Sequence, residues 1–222
     1  MPKKATESKI KKLKNVLIIV AHPDDETLWA GGTILGNPKW KCFILCLCRK
    51  SDEERALKFY SALKILKAEG MMGDLDDGPG QKPLGGKMVK GAILELLPSN
   101  YFDLVITHNP NGEYTRHLRH EEISRAVLSL WNTGKIKTDE LWTFAYEDGN
   151  NEYFPRPENN APIYQVLKRP VWLKKYSLIT ETYGFEKKSW EAETTPRAEA
   201  FWRFAEASDA WKWLKSIKKQ KH

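Results

Sequence analysis

The stretch NVLIIVAHPDDE, residues 15–26, joins an unbroken apolar run to a histidine, a proline and three acids. Val16–Ala21 lacks the alternation of a half-exposed strand, so Asn15–Ala21 reads as a strand buried on both faces, the pattern of a parallel sheet. His22-Pro23 ends it. Asp24-Asp25-Glu26 then opens a helix to Leu35, because acids in a first turn suit the positive end of the helix dipole. Working outward, Lys41–Cys48 (KCFILCLC) is a second buried strand. Ser51 is expected to cap a helix from Asp52 to about Glu69, with Leu57, Tyr60, Ala62, Leu63, Ile65 and Leu66 on its apolar side. Gly70–Lys87 is rich in Gly, Asp and Pro and reads as a long loop, and Val89–Leu97 as a short helix. Tyr101–Thr107 is a third buried strand, His108–Leu118 a loop, His120–Trp131 a helix and Glu140–Tyr146 a fourth strand. Glu147–Pro162 holds three prolines and four asparagines and reads as a substrate-facing loop or an insertion. Thr195 before Pro196 is a helix start, continued by Phe201, Phe204, Trp211 and Leu214. The expectation is an α/β fold: a Rossmann-like, mostly parallel sheet with helices on both faces, in one domain over residues 15–208.

The chain has 222 residues, 41% of them hydrophobic, which is enough for a full core and argues against wholesale disorder. Neither Val16–Ala21 nor Cys42–Cys48 approaches the roughly 20 apolar residues of a membrane span. Met1–Lys14 is polar and lysine-rich with no apolar centre, so no secretory leader is expected. Three cysteines, Cys42, Cys46 and Cys48, alternate on one strand; an odd count of this kind points to reduced thiols and a cytoplasmic location. The net charge of +7 is not a surface footprint, since residues 1–14 carry +5, residues 209–222 carry +4 and the rest sum to −2. Basic tails over 1–14 and 209–222 are solubilising ends, with contact to an anionic surface or a polyanion as a weaker reading, and no specific nucleic acid is expected.

In an open parallel sheet, ligands bind beyond the carboxyl ends of the strands. Two such ends are crowded with chemistry here: Ala21-His-Pro-Asp-Asp-Glu26, and Thr107-His-Asn-Pro-Asn-Gly-Glu-Tyr-Thr-Arg-His-Leu-Arg-His120. Four of the five histidines lie in these two segments. His22 and Asp25, three apart across a strand-to-helix turn, can point to one side, and His120 can close a His/Asp/His metal set. Three protein ligands leave a position open, as in catalytic zinc sites. Asp24 is then a spare carboxylate able to take a proton from water, and His117 a donor to an oxyanion or a leaving amine. Such a set performs hydrolysis of an amide or ester. His108 is open between touching the site, orienting it and facing solvent.

These motifs, with Thr27-Leu-Trp-Ala-Gly-Gly32 after the first and Asn-Gly-Glu-Tyr before His-x-x-His in the second, resemble the LmbE-like or PIG-L-like zinc-dependent de-N-acetylases over roughly residues 15–146. The resemblance implies a Zn2+ hydrolase removing acetyl from an N-acetylated amino sugar of the N-acetylglucosamine type, with His22, Asp25 and His120 on zinc, Asp24 as base and His117 at the oxyanion or amine. It also implies Arg55 as a sugar contact and Tyr114 as a phenol near the oxyanion. The chain departs from the family where Arg119 stands in place of Asp or Asn; a cation there either engages an anionic substrate group or pairs with Glu121 or Glu122. Two rival readings differ in class. His22-x-Asp24 with a distant His also fits a facial Fe(II) oxygenase site, on what would be an all-β scaffold. A non-enzymatic polyanion or membrane-surface binder would instead use the lysine tails.

Overall fold

The computed structural model describes residues 13–80, 82–115 and 117–220. Most of the expected N-terminal tail lies outside them, and Lys14 already belongs to the first strand. The first half of the fold consists of β1 (Lys14–Val20), α1 (Asp25–Gly36), β2 (Trp40–Cys48), α2 (Glu53–Leu66), β3 (Glu69–Leu75) and α3 (Gly86–Leu96). Next come β4 (Tyr101–Phe102), β5 (Leu104–Thr107), α4 (Leu118–Asn132), β6 (Lys137–Thr138) and β7 (Leu141–Phe144). The remainder is β8 (Tyr146–Glu147), β9 (Arg156–Pro157), β10 (Ile163–Val166), α5 (Arg169–Ser177), a π-helical turn at Leu178–Thr182, α6 (Trp190–Thr194), β11 (Ala198–Phe204) and α7 (Ala207–Gln220).

Seven strands form one sheet in the order β10-β11-β7-β5-β1-β2-β3. The five from β7 to β3 run parallel, while β11 lies antiparallel to β7 and β10 antiparallel to β11. β1 sits between β2 and β5, with Val16 registered against Cys42 on one side and Leu104 on the other. Its alternate residues feed two cores. Val16, Ile18 and Val20 pack under α1 and α2, and Leu17, Ile19 and Ala21 under α3, α4 and α7. Each Val, Leu or Ile side chain among them contributes about 1.5–3 kcal/mol by burial, which is why the run tolerates no polar residue. The chain moves outward from β1 to β3 and then returns to β5 on the other side of β1. That reversal opens a crevice between the ends of β1 and β5.

Two expected elements are corrected. Glu69–Leu75, read largely as loop because of its glycines, is the parallel edge strand β3. Gly70 is a packing requirement there, since a Cβ on it would lie 2.4 Å from the Ile44 carbonyl oxygen and 2.8 Å from Leu63. α2 therefore stops at Leu66, where Lys67 turns left-handed (φ 55°), and its cap is Asp52, which accepts from the Arg55 amide, rather than Ser51. The segment after Thr195-Pro196, read as helix, is instead β11, held between β7 and β10 with Phe201 opposite Phe144. The helix begins only at Ala207, with Ala210, Leu214 and Ile217 buried; much of the expected basic tail is thus a packed amphipathic helix.

Candidate metal centre

The β1–α1 turn is tight and strained. Asp24 has φ 118°, a conformation L-residues rarely adopt, and its carbonyl accepts from the amides of Thr27 (2.9 Å) and Leu28 (2.7 Å). Glu26 fixes the turn from beneath: one oxygen accepts from the Asp24 amide (3.2 Å), the other from the Tyr183 hydroxyl (2.7 Å) and the Thr27 hydroxyl (2.5 Å). Asp25 is held at both oxygens. Oδ1 accepts from the Trp29 indole (3.0 Å) and Oδ2 from the His22 amide (2.8 Å), so Oδ2 faces the crevice.

On the other side of the crevice, the β5–α4 loop folds back on itself. Asn109 accepts from the Gly112 amide (2.9 Å), Gly112 takes φ 79°, and Glu113 is tucked under the loop, fully buried. Its Oε1 accepts from the Asn109 amide (2.8 Å), while Oε2 lies 2.9 Å from His108 Nδ1 and 2.6 Å from His120 Nδ1. His117 is the N-cap residue of α4 and His120 lies in its first turn.

Three atoms converge between these segments. His22 Nδ1, Asp25 Oδ2 and His120 Nε2 form a triangle with every edge 3.3 Å. That is about the donor–donor separation in a tetrahedral zinc shell with bonds of roughly 2.0–2.1 Å. The partners assign the protons: Glu113 takes the Nδ1–H of His120, and Asp77 Oδ2, 3.3 Å from His22 Nε2, faces that ring's other nitrogen. In these neutral tautomers two imidazole lone pairs and a carboxylate oxygen face one another, a set that a metal ion or a shared proton bridges; burial opposes charge on both imidazoles, and Asp25 accordingly raises them above their usual range against it. The donor set therefore fits a divalent ion of zinc type. His108 Nε2 also approaches Asp25 (3.5 Å), but it accepts from the Ala21 amide at 2.9 Å and its lone pair is engaged.

The electrostatics follow from the packing. Burial pushes the Asp24 carboxyl well above its usual range, and the neighbouring Asp25 charge adds to this. Burial acts the same way on Asp25, yet the imidazoles of His120 and His108 outweigh it and hold that carboxyl well below. Glu113 is likewise lowered to about 2 by His108 and His120 against its burial. His117 is brought down to about 2 by burial and by His120 and His22, so its ring is neutral. Burial disfavours charge on His108, and Glu113 and Asp25 raise it to about 9; however, the amide aimed at Nε2 requires a lone pair there, and we assign the neutral Nδ1–H form.

A cavity of about 190 Å³ lies over the triangle, lined by His22, Asp24, Asp25, Arg55, Tyr114 and His117 among others. Arg49, Asp77 and His117 also line an adjoining cleft of about 860 Å³. Arg55 approaches Asp24 at 3.9 Å and sits over the Phe185 ring (5.5 Å). The Tyr114 ring is 5.5 Å from those of both His117 and His120. His117 stacks on His120 at 4.1 Å, and its Nδ1 is buried with no hydrogen-bond partner among the described residues. Arg119 does not join them. Its guanidinium is fully buried and turned away, pairing with Glu122 and donating to the carbonyls of Asp76 and Lys82 (2.6 Å each), so an exposed substrate contact is ruled out. The pairing with Glu122 was one of the two expectations for it.

Sequence reasoning missed Glu113 and Asp77 as partners of the histidines and left His108 open. The signal available was the general one that a ligating histidine gives its second nitrogen to a carboxylate, and Glu113 lies inside the second motif, between His108 and His120. Asp77 sits in a segment read only as loop. The facial iron reading built on Asp24 is not favoured, as the helical crossovers in the sequence already indicate. The oxygen near both imidazoles belongs to Asp25 rather than Asp24, and the scaffold is a parallel α/β sheet rather than an all-β one.

Residues 17–131 match the family model described as PIG-L, GlcNAc-PI de-N-acetylase, and the chain belongs to that family. An uncharacterized protein of Acanthamoeba polyphaga mimivirus is 26% identical over 180 residues, covering 73% of this chain and 76% of the viral one. The fold is shared with the N,N'-diacetylchitobiose deacetylase of Pyrococcus horikoshii (TM-score 0.63, 15% identity, 86% of this chain and 84% of that one). It is shared too with a teicoplanin deacetylase in a zinc-inhibited form (0.60, 14%, 85% and 97%). GalB, the 4-carboxy-2-hydroxymuconate hydratase of Pseudomonas putida, has the same fold (0.56, 16%, 86% and 95%), so the scaffold alone does not fix the reaction. Among the described residues, no helix is long and apolar enough to cross a membrane.

Proposed function

We propose that this protein is a zinc-dependent hydrolase that removes the acetyl group from an N-acetylated amino sugar of the N-acetylglucosamine type. The observation that carries the reading is the 3.3 Å triangle of His22 Nδ1, Asp25 Oδ2 and His120 Nε2. Membership of a family described as de-N-acetylases supports the reaction class. These three side chains would hold the ion, which when bound supplies Lewis acidity toward an acyl oxygen and acidifies water.

The chain's own groups then divide the work. Asp24, in the cavity wall beside Asp25, takes the proton of the attacking water on its carboxylate and returns it to the departing nitrogen, so that amide and water become acetate and amine. Neutral His117 donates a ring N–H to the acyl oxygen as charge develops there, a type of contact commonly worth about 3 kcal/mol. Arg55 and Tyr114 line the walls where the sugar would lie. A panel of N-acetylglucosamine conjugates assayed for acetate release tests this reading. Acetate from at least one conjugate, abolished by Asp24→Asn, is the expected result. Hydration of an unsaturated acid instead would move the protein to the chemistry named for the GalB neighbour.

A further inference from the structure

His120 is oriented by Glu113, but among the described residues of the two histidine-bearing motifs none partners His22 Nε2 in the same way. Its Nε2 faces Asp77 Oδ2 at 3.3 Å, a residue from the segment following β3. Asp77 is itself anchored: its side chain is only 7% exposed, and Arg49 donates to Oδ2 from Nη2 (2.8 Å) and Nε (3.1 Å). Arg49 takes φ 68°, a left-handed conformation uncommon outside glycine. The same segment is gripped from behind by Arg119, one residue before His120, through the carbonyls of Asp76 and Lys82. Two arginines, one from the end of β2 and one from α4, thus converge on a single stretch of chain, and that stretch delivers one carboxylate to the far nitrogen of His22.

We propose that Asp77 is the positioning residue of the metal centre on the His22 side. Its carboxylate, 3.3 Å from His22 Nε2 but without the alignment of a hydrogen bond, favours the proton on that nitrogen, so that Nδ1 keeps its lone pair for the ion, while Arg49 and Arg119 hold it there. This assigns Arg119 a structural task in the centre without any contact to substrate. The inference rests on the zinc-hydrolase reading above, because it needs His22 as a ligand. A carboxylate in this position makes the imidazole a better donor and fixes its tautomer, and removing such a partner typically weakens metal affinity about 10- to 100-fold.

The test is zinc affinity of the full-length protein, measured by competition with a chromophoric chelator, together with the visible spectrum of the Co(II)-loaded form. Asp77→Ala should lose about 10- to 100-fold in affinity and alter the Co(II) spectrum. Asp77→Asn, which keeps an acceptor oxygen, should fall between it and wild type, and Arg49→Gln should shift affinity in the same direction. Asp74→Asn, a charge removal nearby that touches Ser51 rather than His22, should leave zinc affinity unchanged. Wild-type affinity in Asp77→Ala, or an equal loss in Asp74→Asn, would overturn the assignment of Asp77. Wild-type affinity in His22→Ala would instead overturn the metal site on which it rests.

Discussion

Glu113 Oε2 lies 2.6 Å from His120 Nδ1, so a fully buried carboxylate fixes which nitrogen of His120 faces Asp25. The same oxygen touches His108 at 2.9 Å, and the two contacts tie the end of β5 to the start of α4. Glu113→Gln preserves shape but removes the charge that keeps both rings in place. Zinc affinity, read by chelator competition, should fall about 10- to 100-fold with little change in overall secondary structure.

Asp24 separates chemistry from metal binding. Asp24→Asn should retain zinc, because no edge of the donor triangle uses this residue. Acetate release should drop roughly 10²- to 10⁴-fold, the usual span for loss of a general base. Near-normal turnover with zinc in place would show that the base is another group.

The same residue sits at φ 118° and is buried in a turn of three consecutive acids. Glycine adopts that backbone without strain, so Asp24→Gly should raise stability by about 1–2 kcal/mol in denaturant unfolding while abolishing turnover. A destabilised variant would mean that the carboxylate contributes more to the fold than the strain takes away.

Asp148 anchors the loop before His117. It accepts from the Thr115 amide and hydroxyl (2.7 Å each) and from the Asn150 amide (3.1 Å). Burial opposes its charge, but the hydrogen bonds from Thr115 and the following amides hold its carboxyl below the usual range. Its folded pKa being depressed, its contribution is present above the unfolded value of about 3.9 and is lost as pH falls through the folded value. Asp148→Asn should therefore flatten the acid limb of the stability curve below about pH 4. An acid limb unchanged by the substitution would contradict this.

Lys175 and Glu199 form an ion pair with no solvent exposure, Nζ to Oε1 2.7 Å, and Glu199 also accepts from the amides of Gly32 (2.8 Å) and Thr33 (2.6 Å) within α1. Burial lowers the Lys175 pKa and the Glu199 charge opposes that fall. Lys175→Met would strand the carboxylate, and the expected loss is about 3 kcal/mol in urea unfolding. A loss within experimental error would indicate that the two α1 amides and the Thr33 hydroxyl suffice to satisfy Glu199.

The central sheet was legible because Val16–Ala21, Cys42–Cys48 and Leu104–Thr107 are continuous apolar runs, a pattern only doubly buried strands require. The edges were not. β3 carries two glycines because its neighbours approach closely, and glycine in a sequence reads as loop. Ala198–Phe204 has no period-two alternation, its first four residues all being buried, and it follows a Thr-Pro pair that resembles a helix start; only the edge of β7 gives that segment its partner. The site divides in the same way. His22, Asp24, Asp25, His117 and His120 stand at strand ends where a parallel sheet gathers ligands. Glu113 and Asp77 reach the histidines only through a loop reversal and a distant segment. Arg119, a charge beside a histidine, drew a functional reading although its side chain points to backbone carbonyls.

The most direct measurement is metal content of the purified protein beside His22→Ala, each assayed for acetate release from N-acetylglucosamine conjugates. Stoichiometric zinc with acetate release in the wild type, both lost in the variant, is the predicted result. A wild-type protein that binds no zinc from a buffered solution, or a His22→Ala variant that binds it equally well, would contradict the metal centre.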